Sequence, residues 1–398
     1  MRVDSVDFFY AAMPEITLDA DGSQDALLVR VTADSGATGW GECEASPLTS
    51  IAAFVTPRSH GVCRPVSDSV IGQQVDTPDD IRRVAALVER NSMDLLQSAH
   101  TFSGIEIALW DMLGRSRQEP VWRLLGYDQT TPKVPYASML LGQDPQSTLD
   151  HVGAAVRSGF HAVKIGWGSF GQGSVSSDAD HVAAAREALG SDGILLVDAG
   201  QIWVDDVEAA AARVEALASA RATWLEEPFL PHAYSASAEL ATRMRGVGLA
   251  GGESAHTPYM ATNLIDYGGV RYIQVDSGRI GGIGAAKTVA DHAVGANVTF
   301  VNHTFTSHLA LSASLQAYAG LADHRICEYP VAPSDLARAI THDQLIPSSG
   351  TVRAPDAPGL GVEVAIEAVE PYLRTVDIWV DGTPLYADRQ SVRRPASA

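Results

Sequence analysis

Eight short apolar runs, rich in β-branched residues, recur through the middle of the chain with alanine-rich or irregular stretches between them. They are Val134 to Met139, Ala162 to Gly166, Ile194 to Asp198, Thr223 to Glu227, Gly248 to Glu253, Tyr272 to Asp276, Val298 to His303 and Arg325 to Tyr329. Strands separated by helices such as Asp178 to Leu189 and Asp205 to Ala220 cannot pair as hairpins and must build a parallel sheet. Eight of them predict an α/β fold, a (β/α)8-type (TIM-like) barrel. Lys164, Asp198, Glu226, Glu253, Asp276, His303 and Glu328 stand at or near the C-terminal ends of these runs, at separations of 34, 28, 27, 23, 27 and 25 residues. Scattered salt-bridging acids belong on helix surfaces. One ionisable residue per βα repeat is how a barrel gathers a site on its C-terminal face.

The flanking segments have a different texture. Residues 1–130 open as a strand meander, Val3 to Tyr10, Ala26 to Thr32 and a third strand through Gly39-Trp40-Gly41-Glu42, followed by helices over Asp79 to Arg90 and Thr101 to Leu113. This predicts an α+β domain at 1–130, the barrel at 131–355, and a C-terminal segment at 356–398 that returns to the first domain. In that segment Pro355 to Leu373 reads as a loop running into a helix. A hairpin is expected at Ile378 to Tyr386 around Asp381-Gly382, and Ser391 to Ala398 is expected to fray.

Composition narrows the function. With 28 basic against 48 acidic side chains the net charge is -20, which repels a nucleic-acid backbone. Three widely spaced cysteines, Cys43, Cys63 and Cys327, support neither a disulfide framework nor a thiolate zinc cluster, and suit a reducing compartment. No run is long enough to span a membrane. The first residues, MRVDSVDFFYAAMPE, alternate like a strand and carry acids, unlike a signal peptide. The expectation is a soluble cytoplasmic protein acting on a small molecule.

Asp198, Glu226 and Glu253 come from three consecutive strands, and three carboxylates converging on one point call for a cation. Hard oxygen ligands without clustered cysteine or histidine favour Mg²⁺. Glu226 and Glu227 are adjacent, so strand alternation turns them to opposite sides and only one of them is a metal ligand. His303 and Asp276 end neighbouring strands; a carboxylate beside an imidazole fixes its tautomer and raises its basicity, as a general base requires. Across the barrel, Lys164 and Gly166 share a strand face. Gly166 stands nearer the mouth, where a second base would oppose His303, and it has no proton to move. Lys164 is open to two readings, a contact to a carboxylate or a stem lying along the barrel wall.

These residues resemble the enolase superfamily, specifically its mandelate racemase-like subgroup. The motifs are Gly39-Trp40-Gly41-Glu42, Ile107-Ala108-Leu109-Trp110-Asp111, the three acids, the Asp276/His303 pair and Pro358-Gly359-Leu360-Gly361. The resemblance implies that the first domain caps the barrel, and that Asp198, Glu226 and Glu253 bind Mg²⁺. The metal would hold the substrate carboxylate and stabilise the enediolate formed when a base removes the α-proton. It selects Glu226 over Glu227 as ligand and leaves Glu227 behind it. It implies that Glu328 hydrogen-bonds the other carboxylate oxygen of the intermediate, that two capping segments, about 14–25 and 46–64, choose the substrate, and that the protein is a homo-oligomer. Two departures stand out. The family's Lys-x-Lys is Lys164-Ile165-Gly166 here, and the asparagine two residues after the first metal ligand is Gly200, with Gln201 and Trp203 beyond.

A lone base on one face favours syn elimination. The leading expectation is therefore a Mg²⁺-dependent dehydratase of a sugar acid, an aldonate or aldarate, giving a 2-keto-3-deoxy acid. Racemisation of a 2-hydroxy acid is the alternative and needs Lys164 to reach the face opposite His303. A catalytically inactive metal-binding barrel is the reading from another class.

Overall fold

The computed structural model describes residues 1–17, 23–44, 46–388 and 391–393. Strands β1 (Val3–Ala12), β2 (Asp25–Ala33) and β3 (Thr38–Cys43) form an antiparallel meander. The helix Ser98–Arg117 packs across it, buried from His100 to Gly114. Contact is close because β3 carries glycines: a Cβ at Gly39 would lie 2.2 Å from the Ala108 carbonyl oxygen, and one at Gly41 2.1 Å from that of Gly104. That close approach is the physical content of the Gly-Trp-Gly motif.

The barrel strands are β4 (Val134–Ser138), β5 (Ala162–Ile165), β6 (Ile194–Asp198), β7 (Trp224–Glu226), β8 (Gly248–Gly251), β9 (Tyr272–Val275), β10 (Thr299–Asn302) and β11 (Ile326–Tyr329). All are parallel to their neighbours, and β11 pairs with β4. Each lies inside the run expected for it from the sequence. Between β10 and β11 side chains carry much of the pairing. Asn302 Oδ1 accepts from the Glu328 amide at 3.0 Å while its Nδ2 donates to the Glu328 carbonyl at 3.2 Å, and His324 Nδ1 accepts from the Phe300 amide at 2.7 Å. A buried asparagine here supplies one donor and one acceptor, as a strand residue would.

Three sequence expectations need correction. The helix expected over Asp205 to Ala220 is two, Val207–Ala211 and Val214–Ser219. Between them Arg213 turns inward to hydrogen-bond Asp178 at 3.0 Å. The helix after Pro355 is only Ile366–Val369 with a 3₁₀ turn behind it. The expected hairpin forms as β12 (Ile378–Val380) and β13 (Thr383–Tyr386), but the last described residues are not frayed. Val392–Arg393 forms β14 and adds to the free edge of β1; residues 394–398 lie outside the described ones.

Buried carboxylates tie the cap and the tail to the barrel. Asp111 accepts from the amides of Trp40 and Leu360, each at 2.9 Å, and from Arg115, joining β3, the helix and the Pro358-Gly359-Leu360-Gly361 segment. Glu106, on the same helix, accepts from the amides of Ile283 (2.7 Å) and Gly284 (2.9 Å), the N-terminus of a barrel helix, and from Trp110 Nε1 (2.7 Å). Unpaired helix N–H groups are satisfied by a residue of the other domain.

Burial raises Glu106 from 4.5 to about 7, against the hydrogen bonds that lower it. The folded state therefore holds this proton more tightly than the unfolded chain. The contribution of Glu106 is most favourable below pH 4.5 and declines as pH rises to 7. Glu106→Gln should flatten the pH dependence of urea-unfolding stability in that window. An unchanged slope between wild type and variant would show that Glu106 titrates alike in both states.

Candidate active site

The barrel interior is layered by the two-residue period of its strands. Ala162, Leu196, Trp224, Val301 and Ile326 belong to one buried apolar cluster. Two residues further along the same faces come Lys164, Asp198, Glu226, His303 and Glu328. Each polar site residue thus stands on an apolar one, and all five are at least 96% buried. Glu253 departs from the pattern. It follows Gly252 (φ +117°) beyond the end of β8 and is the most exposed of the acids, at 19% of its side chain.

Carboxylate oxygens of Asp198, Glu226 and Glu253 lie within 4.8 Å of one another. Glu226 is supported from below by Trp224 Nε1 at 3.0 Å, and Asp198 by the Gly200 amide at 2.9 Å. Glu227 turns away from the strand with φ +36°. Its carboxylate accepts from Gln201 Nε2 at 2.5 Å, and Gln201 also reaches Ser254 Oγ at 3.0 Å. Simple alternation placed Glu227 on the far side. The positive φ instead keeps it beside the acids, where burial, then the charge on Glu253, pushes it to about 8. Gln201, one residue past the position where the family's asparagine was expected, reaches Glu227 through this contact.

His303 Nδ1 pairs with Asp276 Oδ2 at 2.8 Å, and Asp276 Oδ1 accepts from the Gly278 amide at 2.7 Å. His303 Nε2 lies 3.2 Å from Glu253 Oε2 and 3.8 Å from Glu328 Oε2. Burial disfavours charge on His303. Glu253, Glu328 and the Asp276 hydrogen bond overcome it and lift the imidazole to about 10.

Of the two sequence readings of Lys164, the structure shows contact with carboxylates, those of the protein itself. Its Nζ lies 2.7 Å from Glu226, 3.1 Å from Glu328 and 3.3 Å from Asp198. It is neither a stem lying along the wall nor a free base. Burial opposes the ammonium, and the charges of Glu226 and Glu328 more than restore it. Gly166 has φ +129°, and a Cβ there would lie 2.1 Å from the Asp198 carbonyl oxygen. A side chain at this position would require Gly166 to leave its positive φ or β6 to move.

Six carboxylates, Asp198, Glu226, Glu227, Glu253, Asp276 and Glu328, share this region with Lys164, Arg279 and His303. Three crowded oxygen donors with excess negative charge and no sulfur fit a hard divalent cation. A cleft of about 220 Å³ opens over them, lined also by Ser23, Ser138, Met139, Ile165, Trp167, Arg279 and Phe305. Sequence reasoning missed Arg279 and Trp167. Arg279 joins the domains by pairing with Glu44 of the cap and lying 3.6 Å from Glu253. Of the capping segment 14–25, residues 18–22 lie outside the described ones; Ser23 reaches the cleft and bonds Glu44 at 3.2 Å.

Residues 148–369 match the enolase C-terminal domain-like family, and residues 11–126 the mandelate racemase / muconate lactonizing enzyme N-terminal domain. The chain belongs to this family. It is 29% identical over 363 residues to D-galactarolactone cycloisomerase of Agrobacterium fabrum, covering 87% of this chain and 90% of that protein. It is 32% identical over 273 residues to 3,6-anhydro-alpha-L-galactonate cycloisomerase of Streptomyces coelicolor, covering 67% and 70%. Arabinonate dehydratase of Saccharolobus solfataricus is 26% identical over 274 residues, 68% and 71% of the two chains. A crystal structure described as a predicted mandelate racemase from Rhodobacter sphaeroides shares 59% identity with a TM-score of 0.94, covering 98% of this chain and all of that one.

Glu328 depends on Asn302, whose amide also meets Tyr318 Oη at 2.9 Å and Ser314 Oγ at 3.1 Å. Asn302→Leu keeps the branched shape but strands the Glu328 amide, and takes one of two partners from the Glu328 carbonyl and from the tyrosine hydroxyl. It should lower stability in urea unfolding by about 2–4 kcal/mol. An unchanged midpoint would mean that the β10–β11 seam does not rely on this side chain.

Proposed function

We propose that the protein removes the proton α to the carboxylate of an acid sugar with His303 and expels the β-substituent, in the first instance hydroxide, to give a 2-keto-3-deoxy acid. The observation that carries this reading is the asymmetry of the cleft. One face has an imidazole positioned by Asp276; the opposite position is Gly166, closed to any side chain by the Asp198 carbonyl. Lys164, bound to three carboxylates, is not poised to exchange a proton on that second face. The chemistry therefore runs on one side of the carbon, which elimination tolerates and racemisation does not.

The balance is simple. His303 Nε2 takes the C2 proton, the C2–H electrons form the C2–C3 double bond, the C3–O bond breaks, and the same imidazolium returns the proton to the departing hydroxide as water; the enol left behind loses its 2-hydroxyl proton and gains one at C3, giving the 2-keto-3-deoxy acid. Asp276 holds Nδ1 protonated throughout, so that Nε2 is the reacting nitrogen. Lys164 would hold the substrate carboxylate by charge; Glu328, kept ionised against burial by Lys164 and His303 and accepting from the Thr304 amide at 2.8 Å, would position that ammonium rather than donate to the substrate. A Mg²⁺ ion bound by Asp198, Glu226 and Glu253 would supply positive charge for that carboxylate and for the negative charge that builds on it as the proton leaves.

A second reading shares every step except the leaving group. Two of the curated relatives are named cycloisomerases of cyclic sugar acids; with a ring oxygen expelled, the product keeps the mass of the substrate.

Incubation with Mg²⁺ in D₂O against aldonic and aldaric acids and their lactones, followed by ¹H NMR and mass spectrometry, distinguishes the outcomes. A keto-deoxy product that has lost water indicates dehydration, and one of unchanged composition indicates ring opening. Deuterium at C2 with inversion and an intact skeleton would overturn the proposal. His303→Asn should lower kcat by ~10²–10⁴-fold. Mg²⁺ should raise the thermal midpoint of the wild type and leave that of Glu226→Gln unmoved, since only a bound cation stabilises by mass action. Equal shifts in both proteins would place the ion elsewhere.

A further inference from the structure

Trp167 is the feature of the cleft that proton transfer leaves unexplained. It lines the site, yet 47% of it is exposed, a large apolar surface left in water at the mouth of a highly charged site. Its placement is built into the backbone. Gly166 (φ +129°) and Gly168 (φ +103°) flank it, so the chain turns on both sides of the indole in a conformation that side chains disfavour. Beneath it is Gly200, where a Cβ would lie 2.8 Å from Trp167 Cδ1; the indole rests on bare backbone. Met139 and Ile165 also line the cleft, and Phe305 packs edge-on against the His303 ring at 4.8 Å. The site thus combines a charged floor with apolar sides.

We propose that Trp167 is a stacking wall for the ring of a cyclic acid sugar, and that the preferred substrate enters as a lactone or anhydro ring carrying a carboxylate. This rests on the acid-sugar reading above and deepens it. A saturated ring turns a face of C–H groups to one side and its hydroxyls to the rim, so it can cover an indole without burying unpaired polar atoms. An open-chain polyol rotates hydroxyls toward every wall and gains less from the same surface. The carboxylate would go to the charged floor beside Lys164, with C2 facing His303, while the ring lies against the tryptophan. Few polar groups fix orientation and apolar walls select shape, the usual division of labour in a small-molecule site.

The test is steady-state kinetics of wild type, Trp167→Ala and Trp167→Phe on ring and open-chain forms of the same acid sugar, with subunit number checked by light scattering. The alanine variant should raise KM for the ring form ~10-fold or more with kcat within ~3-fold, and raise it clearly less for the open-chain form. Phenylalanine, which keeps a flat face, should recover most of the loss. Equal effects on both forms would overturn the ring assignment while leaving the acid-sugar reaction standing. A change in subunit number without a change in KM would assign the indole to a contact between copies, and overturn it too. If the wild type exchanges the α-proton of no acid sugar, the reaction reading itself fails, and the ring inference with it.

Discussion

Crowded negative charge is the constraint around which this site is arranged. Carboxylates so close together and so well buried cannot all ionise in a low-dielectric interior without positive charge among them. Lys164 supplies part of it, touching Asp198, Glu226 and Glu328 at once. Arg279 supplies more from the side, between Glu253 and Glu44 of the cap. Burial raises Asp198 and Glu226 above the usual carboxylate range in spite of Lys164, so the local balance still calls for a cation. The same charges act on His303, lifted chiefly by Glu253 and Glu328. A cation that drew on Glu253 would lower the imidazole toward the neutral form that a base needs, so metal affinity and base strength are tied together through one glutamate.

Holding such a site costs stability, and the fold meets that cost at the junction of its domains. The cap brings its own carboxylates to the barrel: Glu106 on the N-terminus of a barrel helix, Glu44 on Arg279, and Glu42 on Ser307. Glu42 is raised by burial to about 7 against the Ser307 hydrogen bond. Each is satisfied by donors from the other domain. Cap and barrel therefore share hydrogen bonds that neither could complete alone, and Ser23 is carried to the cleft by the same cap.

Much of this was legible in the sequence because strand period and repeat length are local signals. Each barrel strand lies within its expected run, and the ionisable residues at the run ends do converge. What escaped was conformation that periodicity cannot express. Glu227 stands behind the three acids, as the resemblance implies, but beside them and not across the strand, because a positive φ breaks the alternation. The three partners of Lys164 lie 34, 62 and 164 residues away in the chain, beyond the reach of any local pattern. Trp167 and Arg279 carry no spacing signal: each lies just past a strand end, where loop geometry decides what a side chain meets. The Asn302 seam was invisible for a further reason, since a side chain taking the place of a backbone ladder leaves no pattern in hydrophobicity.

The absence of a second base is a property of the backbone and not only of residue identity. Lysine in place of Gly166 would have to put its Cβ where the Asp198 carbonyl oxygen lies, on a strand that also ends in a candidate metal ligand. Restoring a side chain there would require the backbone at Gly166 to leave its positive φ or β6 to shift, so the missing base is built into the local chain path as well as into the residue. Gly166, which removes the base, directly precedes Trp167, and Gly200, which stands where the family has asparagine, lies beneath the indole. Two departures from the family pattern thus frame the same wall of the cleft, one where a second base would stand and one under the indole.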